Sequence, residues 1–117
     1  MSDWVSQHYT SNIPQFDELF LQDTPDSQDS AYFHESPLFR IGRTRTLLTA
    51  GLRDKCTPPQ QAVEAHQALL RNGIDTELVL YPRQGHGVRG FPETADYLTR
   101  TLTWFQRYLP AHRCRRA

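Results

Sequence analysis

Two short apolar runs, Thr46-Leu47-Leu48-Thr49-Ala50 and Thr76-Glu77-Leu78-Val79-Leu80-Tyr81, are separated by one helical pattern and followed by another. This alternation leaves few architectures open. Each run is too short for a helix and is closed by a turn residue, Gly51 after the first and Pro82 after the second, so both read as strands. The nearly continuous apolar character of the second is that of a strand covered on both faces. Between them, Thr57 stands as a helix N-cap, Pro58 at the first helical position and Gln60 three residues beyond the cap. That is the capping-box pattern, and such a cap stabilises by ~1 kcal/mol. Ala62, Val63, Ala65, Leu69 and Leu70 supply an apolar face, and Asn72-Gly73 supplies a stop, because glycine tolerates the left-handed conformation at a helix end. The pattern predicts a helix from Pro58 to about Asn72. A second helix is expected from about Pro92 to Leu109, where Leu98, Leu102, Phe105 and Leu109 share one stripe and Pro110 terminates it. Strand, helix, strand, helix with short connections is the α/β pattern of a parallel sheet, since parallel neighbours need a crossover and the helix provides it.

The chain divides into three stretches on this reading. Residues 1–41 precede the first strand and are partly irregular, with Trp4, Val5 and Tyr9 as candidate buried anchors. Within them Pro14 opens a short helix in which Phe16, Leu19 and Phe20 recur at helical spacing, and the polar run Gln22 to Ser30 reads as a surface loop. Residues 42–110 hold the regular α/β unit. Residues 111–117 form a basic tail, His112-Arg113-Cys114-Arg115-Arg116, expected to be a solvated terminus. A length of 117 residues suits one domain or part of one, because burying a two-sided parallel sheet normally takes more chain.

Charge excludes some partners. Thirteen Lys and Arg balance thirteen Asp and Glu, so no net field draws the chain to nucleic acid or to an anionic membrane. No apolar run approaches the ~18 residues that span a bilayer, and the first residues lack a signal-peptide pattern, so a cytoplasmic location is expected. Cys56 and Cys114 have no metal-ligand or C-x-x-C spacing and read as reduced, unpaired thiols. Neither a metal nor a cofactor is expected.

Asp54 lies four residues beyond Ala50, and His86 lies five beyond Tyr81. In a parallel sheet the loops after the strands open on one edge, where ligands bind. Neighbouring strands ~4.8 Å apart would let these loops bring a carboxylate to an imidazole. A carboxylate on one ring nitrogen fixes the tautomer and stabilises the imidazolium while the other nitrogen takes and returns a proton. Gly85 and Gly87 flank His86 and free its loop to place the ring. On the residues alone, Asp54 also reads as a turn or capping residue and His86 as plain surface. His8, His34, His66 and His112 have no comparable placement, and neither Cys56 as a nucleophile nor a metal site from Asp54, Cys56 and His86 has supporting spacing. A serine nucleophile would sit on a G-x-S-x-G turn, but Ser2, Ser6, Ser11, Ser27, Ser30 and Ser36 all precede the first glycine, Gly42.

Several ordered motifs then make a family visible. Leu47-Leu48-Thr49-Ala50-Gly51-Leu52-Arg53-Asp54, Pro58, Gln60-Gln61, Ala68-Leu69 with Asn72-Gly73-Ile74, Glu77 to Pro82, Gly85-His86 and Trp104-Phe105-Gln106-Arg107-Tyr108-Leu109 resemble the C-terminal end of the prolyl oligopeptidase family of serine peptidases. The likeness is greatest to its acylaminoacyl-peptidase and dipeptidyl-aminopeptidase-like branch. Asp3-Trp4-Val5-Ser6, Thr10-Ser11-Asn12-Ile13 and Tyr32 with Glu35-Ser36-Pro37-Leu38 are similar to the stretch before the acid strand in that branch. The resemblance implies a partial α/β-hydrolase fold with Asp54 as triad acid and His86 as triad base, acting on peptide substrates. It implies too that the chain is a C-terminal piece, inactive alone, which pairs with a serine-bearing N-terminal half or with itself. A non-catalytic pairing module and a related esterase piece are the alternatives. The strand at Thr46 to Ala50 would then be an uncovered apolar edge, and the isolated chain oligomeric, aggregated or partly folded.

Overall fold

The computed structural model describes residues 1–109. Three helices come first: α1 (Trp4–Thr10), α2 (Pro14–Leu21) and α3 (Ala31–His34), followed by a 3-10 turn at Pro37–Arg40. Strand β1 (Thr46–Gly51), helix α4 (Gln60–Arg71), strand β2 (Thr76–Tyr81) and helix α5 (Glu93–Tyr108) complete the order. The strands pair in parallel and in register, Thr46 with Thr76 through to Gly51 with Tyr81. The expected strand-helix-strand-helix unit is therefore present, as a two-stranded sheet.

Both ends of α4 have a physical cause, and only one is the expected cause. The helix stops at Asn72 as anticipated: Gly73 takes φ 68°, its N–H reaches the Leu70 carbonyl at 2.9 Å, and the Ile74 N–H reaches Leu69 at 3.0 Å. This pair of bonds around a left-handed glycine satisfies carbonyls that the helix end would otherwise orphan. The start differs. The helix begins at Gln60 with Pro59 in the cap position, and no side chain caps it. The capping box fails because the Thr57 N–H, which its reciprocal arm needs, is already bound at 2.9 Å by Asp54 Oδ1. Pro59 also lacks an N–H of its own.

Helix α1 and its approach are anchored by polar groups, not by Trp4, Val5 and Tyr9, while Tyr32 is the buried aromatic of the first 41 residues. Tyr9 is exposed and Trp4 and Val5 are half-buried, whereas Ser2 and Gln7 are buried in α1 and its approach. Gln61 of α4 is the hub. Its Oε1 accepts the N–H groups of Ser2 and Asp3, each at 2.9 Å, its Nε2 donates to Ser6 Oγ at 2.7 Å, and its carbonyl accepts Ser2 Oγ at 2.7 Å. Such buried polar groups are tolerated only when paired, and here the pairing fixes where the N-terminal helices sit. α2 forms as expected, but Phe16, Leu19 and Phe20 are exposed.

The apolar interior is small. Tyr32, Leu69, Tyr81 and Trp104 are its buried members. Tyr81 joins β2 to α5 through its hydroxyl, which donates to Asp96 Oδ2 at 3.0 Å, and burial followed by Asp96 pushes the phenol up to about 12. The stripe expected to pack α5 does not do so, since Leu98, Leu102, Phe105 and Leu109 are all more than half exposed. The strands are likewise half-covered, not buried on both faces. Pro110 and the basic tail lie outside the described residues.

Candidate active site

The loop after β1 is a tight turn in which the Asp54 N–H bonds the Gly51 carbonyl at 3.1 Å. It is held from two sides. Leu52 N–H donates to the Tyr81 carbonyl at 3.0 Å and Arg53 N–H to the Gln84 carbonyl at 2.9 Å, which ties this loop to the one after β2. From the other side, Gln7 Nε2 and Ser11 Oγ both donate to the Cys56 carbonyl, at 2.7 and 2.8 Å, and the Asn12 N–H donates to Lys55 at 2.8 Å. The N-terminal segment thus grips the acid loop directly.

Gly51 is where the two loops meet most closely. A Cβ there would overlap the carbonyl oxygens of both Gln84 and Gly85, backbone atoms with no freedom to swing away. Only a residue without a side chain lets the loops approach this far.

Within this frame Asp54 and His86 come together. Asp54 Oδ2 lies 3.0 Å from His86 Nδ1, and Asp54 Oδ1 accepts the N–H groups of Cys56 and Thr57, each at 2.9 Å. Asp54 thus holds the turn through one oxygen and meets the imidazole through the other. The aspartate side chain is 10% exposed and the imidazole 65% exposed, so the acid is sheltered and the ring faces outward. An ionised carboxylate only accepts, so the proton of the neutral ring belongs on Nδ1, and Nε2 is left as a free acceptor. His34 also meets an aspartate, Asp29, but that carboxylate is 84% exposed and lies in the loop between α2 and α3, not after a strand. Depth of the acid, not the pairing alone, separates the two sites.

A cavity of about 540 Å³ opens beside the pair, lined by Leu48, Ala50 and Gly51 of β1, by Asp54 and His86, and by Tyr97 of α5. It runs along the side of β1 that has no strand neighbour among the described residues. Ser2 also borders it, but its hydroxyl is committed to Gln61 and the residue is only 5% exposed. Among the described residues, which include every serine, Asp54 is the one hydrogen-bond partner of His86. Cys56 is half-buried and its backbone, not its thiol, takes part in the loop; Cys114 and His112 lie outside the described residues. No group of three His, Cys, Asp or Glu side chains stands close enough to hold a metal ion among the described residues. Gln7, Ser11 and Gln84 were not legible as site residues. Their roles rest on long-range backbone contacts that no local pattern encodes.

A parallel sheet whose strand-following loops carry this carboxylate and imidazole on one edge is part of an α/β-hydrolase fold. The chain belongs to the prolyl oligopeptidase family, whose sequence profile matches residues 1–112. It is similar to the acylaminoacyl peptidase of Pyrococcus horikoshii, with a TM-score of 0.87 at 24% identity over 96% of this chain and 19% of that one. It is similar also to a puromycin-hydrolyzing peptidase of Mycobacterium tuberculosis, with a TM-score of 0.75 at 25% identity over 92% of this chain and 17% of that one. Mouse acylamino-acid-releasing enzyme is 29% identical over 77 residues, which are 64% of this chain and 10% of the relative. The chain thus spans about a tenth to a fifth of the length of these proteins.

Proposed function

We propose that this chain supplies the acid and the base of a serine peptidase site, with Asp54 as acid and His86 as base, and that the nucleophilic serine comes from a segment outside these 117 residues. The observation that carries the reading is the 3.0 Å contact between Asp54 Oδ2 and His86 Nδ1, with Nε2 unpartnered among the described residues and His86 lining a cavity. In the assembled site, Nε2 takes the serine proton as the serine oxygen attacks the carbonyl carbon of the substrate. Asp54 holds the imidazolium that forms, and His86 then delivers the proton to the departing amine nitrogen. Water enters next and gives a proton to Nε2 as its oxygen attacks the acyl carbon, and His86 returns that proton to the serine oxygen as the bond to the acyl group breaks. The substrates that fit the names of the relatives are acylaminoacyl compounds and peptides, which the assembled site would hydrolyse at the amide bond.

The segment that bears the serine has a place to dock. The unpaired side of β1 and the Asp54–His86 pair border the same cavity, so a strand added there would end beside Nε2. The test is complementation. The purified chain, and the chain mixed with a separately produced family N-terminal half that carries a serine elbow, are assayed on aminoacyl and acylaminoacyl anilides. No turnover is expected from the chain alone, and turnover dependent on His86 is expected from the mixture. Activity of the lone chain that disappears with His86→Ala would place the nucleophile within it. A stable complex whose behaviour is identical with His86→Ala would favour a pairing module without catalysis.

A further inference from the structure

We infer that Gln84 is a positioning residue for His86, its side-chain amide closing the base loop so that the ring is presented to Asp54; this rests on the acid and base roles proposed above. His86 stands at the tip of a narrow excursion in which Gly85 and Gly87 bridge one another across it, with Gly87 at φ 96°. Among the described residues only Asp54 hydrogen-bonds the ring, and the side chain is mostly exposed. The base of the excursion is closed by one side chain. Gln84 Oε1 accepts the N–H of Arg89 at 3.1 Å and that of Gly90 at 3.2 Å, so residues 84 and 89–90 are tied across the histidine.

The same residue is anchored on its backbone. Its N–H donates to the Tyr81 carbonyl at 3.2 Å, and its carbonyl accepts the Arg53 N–H, one residue before the acid. Gln84 therefore bonds at once to the end of β2, to the acid loop and to the far limb of the base loop. Space around the amide is tight as well, since a Cβ on Gly90 would lie 2.9 Å from Gln84 Nε2. Loss of the acceptor frees two backbone N–H groups to water and widens the excursion. The ring then loses its fixed approach to Asp54, and an error of about 1 Å at a catalytic group is enough to cost on the order of a hundredfold in rate.

The readout is the tautomer of His86, which responds to position and requires no turnover. Ring-nitrogen chemical shifts of the 15N-labelled full chain in its complex with the serine-bearing half, recorded with the imidazole neutral, report which nitrogen carries the proton. The wild type is expected to hold it on Nδ1. Gln84→Met, which keeps the length and removes the acceptor, is expected to shift the ratio several-fold toward Nε2–H and to speed amide exchange at Arg89 and Gly90. Gln84→Glu, which keeps an oxygen at the same reach, is expected to retain the wild-type tautomer. Gly90→Ala displaces the amide from the other side and carries the test if Gln84→Met does not fold. In the complemented enzyme, Gln84→Met should lower kcat by about tenfold or more with KM changed far less. If Asp54→Asn moves the tautomer and neither Gln84→Met nor Gly90→Ala does, the positioning role is wrong and the acid–base pair stands. If Asp54→Asn leaves it unmoved, the pair itself is not formed and both readings fall.

Discussion

Asp54 divides two kinds of hydrogen bond between its oxygens, and the division determines what each substitution there does. Asp54→Asn keeps an oxygen for the Cys56 and Thr57 amides, so the turn should survive, but presents the wrong group to His86 Nδ1. In the complemented enzyme its expected cost is about 10⁴ in kcat, by the logic of a triad histidine held in the wrong tautomer; an undiminished kcat would remove Asp54 from the reaction. Gly51→Ala acts one residue class lower, on the backbone. Its methyl meets two carbonyl oxygens, so destabilisation of about 1–3 kcal/mol or more is expected in denaturant unfolding. Asp17 is a different matter. It is 1% exposed with neither carboxylate oxygen hydrogen-bonded among the described residues, and burial pushes its carboxyl above the ordinary 3.8, with His8 opposing. The folded chain thus holds the Asp17 proton more tightly than the unfolded chain does. Below 3.8 both states are protonated and there is no penalty; as pH rises from there through the raised folded value, stability is lost. Asp17→Asn should remove that decline, and urea unfolding midpoints measured from pH 3.5 to 7 check it. An Asn variant with the same pH slope as wild type would assign the decline to other groups.

At the scale of elements, α4 shows why one end of a helix was legible and the other was not. Its stop depends on Gly73, whose left-handed backbone is a local requirement that the residue type announces. Its start depends on Asp54 capturing the Thr57 amide from three residues upstream, a contest that a capping-box pattern does not contain. The consequence is measurable. Thr57→Ala should cost less than about 0.5 kcal/mol, short of the ~1 kcal/mol of a working cap, whereas Gly73→Ala should cost about 1 kcal/mol or more. Thermal unfolding of the two variants separates them, and the reverse order would restore the capping box. The strands were legible because short apolar runs between turn residues leave little choice, and the meeting of Asp54 with His86 was legible because each follows such a run by a few residues. The stripe of α5 was legible as a stripe. What it faces was not, because periodicity tells which residues share a side and not whether anything covers it.

For the whole molecule, the radius of gyration is 16.9 Å, against about 13 Å for a compact domain of 100 residues. Apolar side chains on α2 and α5 are exposed as well, and β1 has only one strand neighbour among the described residues. At ~25 cal/mol per Å², a few hundred Å² left uncovered forfeits several kcal/mol, which is comparable to the stability of a small domain. The isolated chain is therefore expected to self-associate or to unfold broadly. Size-exclusion chromatography with light scattering and thermal melting examines this, and a monomer with one sharp transition would show that 117 residues suffice. The in-register pairing of β1 with β2 has a further meaning for length variation. Both loops leave the sheet at the same height because Gly51 sits opposite Tyr81. A residue inserted between Thr46 and Gly51 would force either a bulge or a slip of ~3.3 Å, and a slip also turns every side chain beyond it to the other face. A residue inserted after Gly73, before β2 begins, carries no such penalty. Where this chain can grow and where it cannot is thus decided by a ruler six residues long.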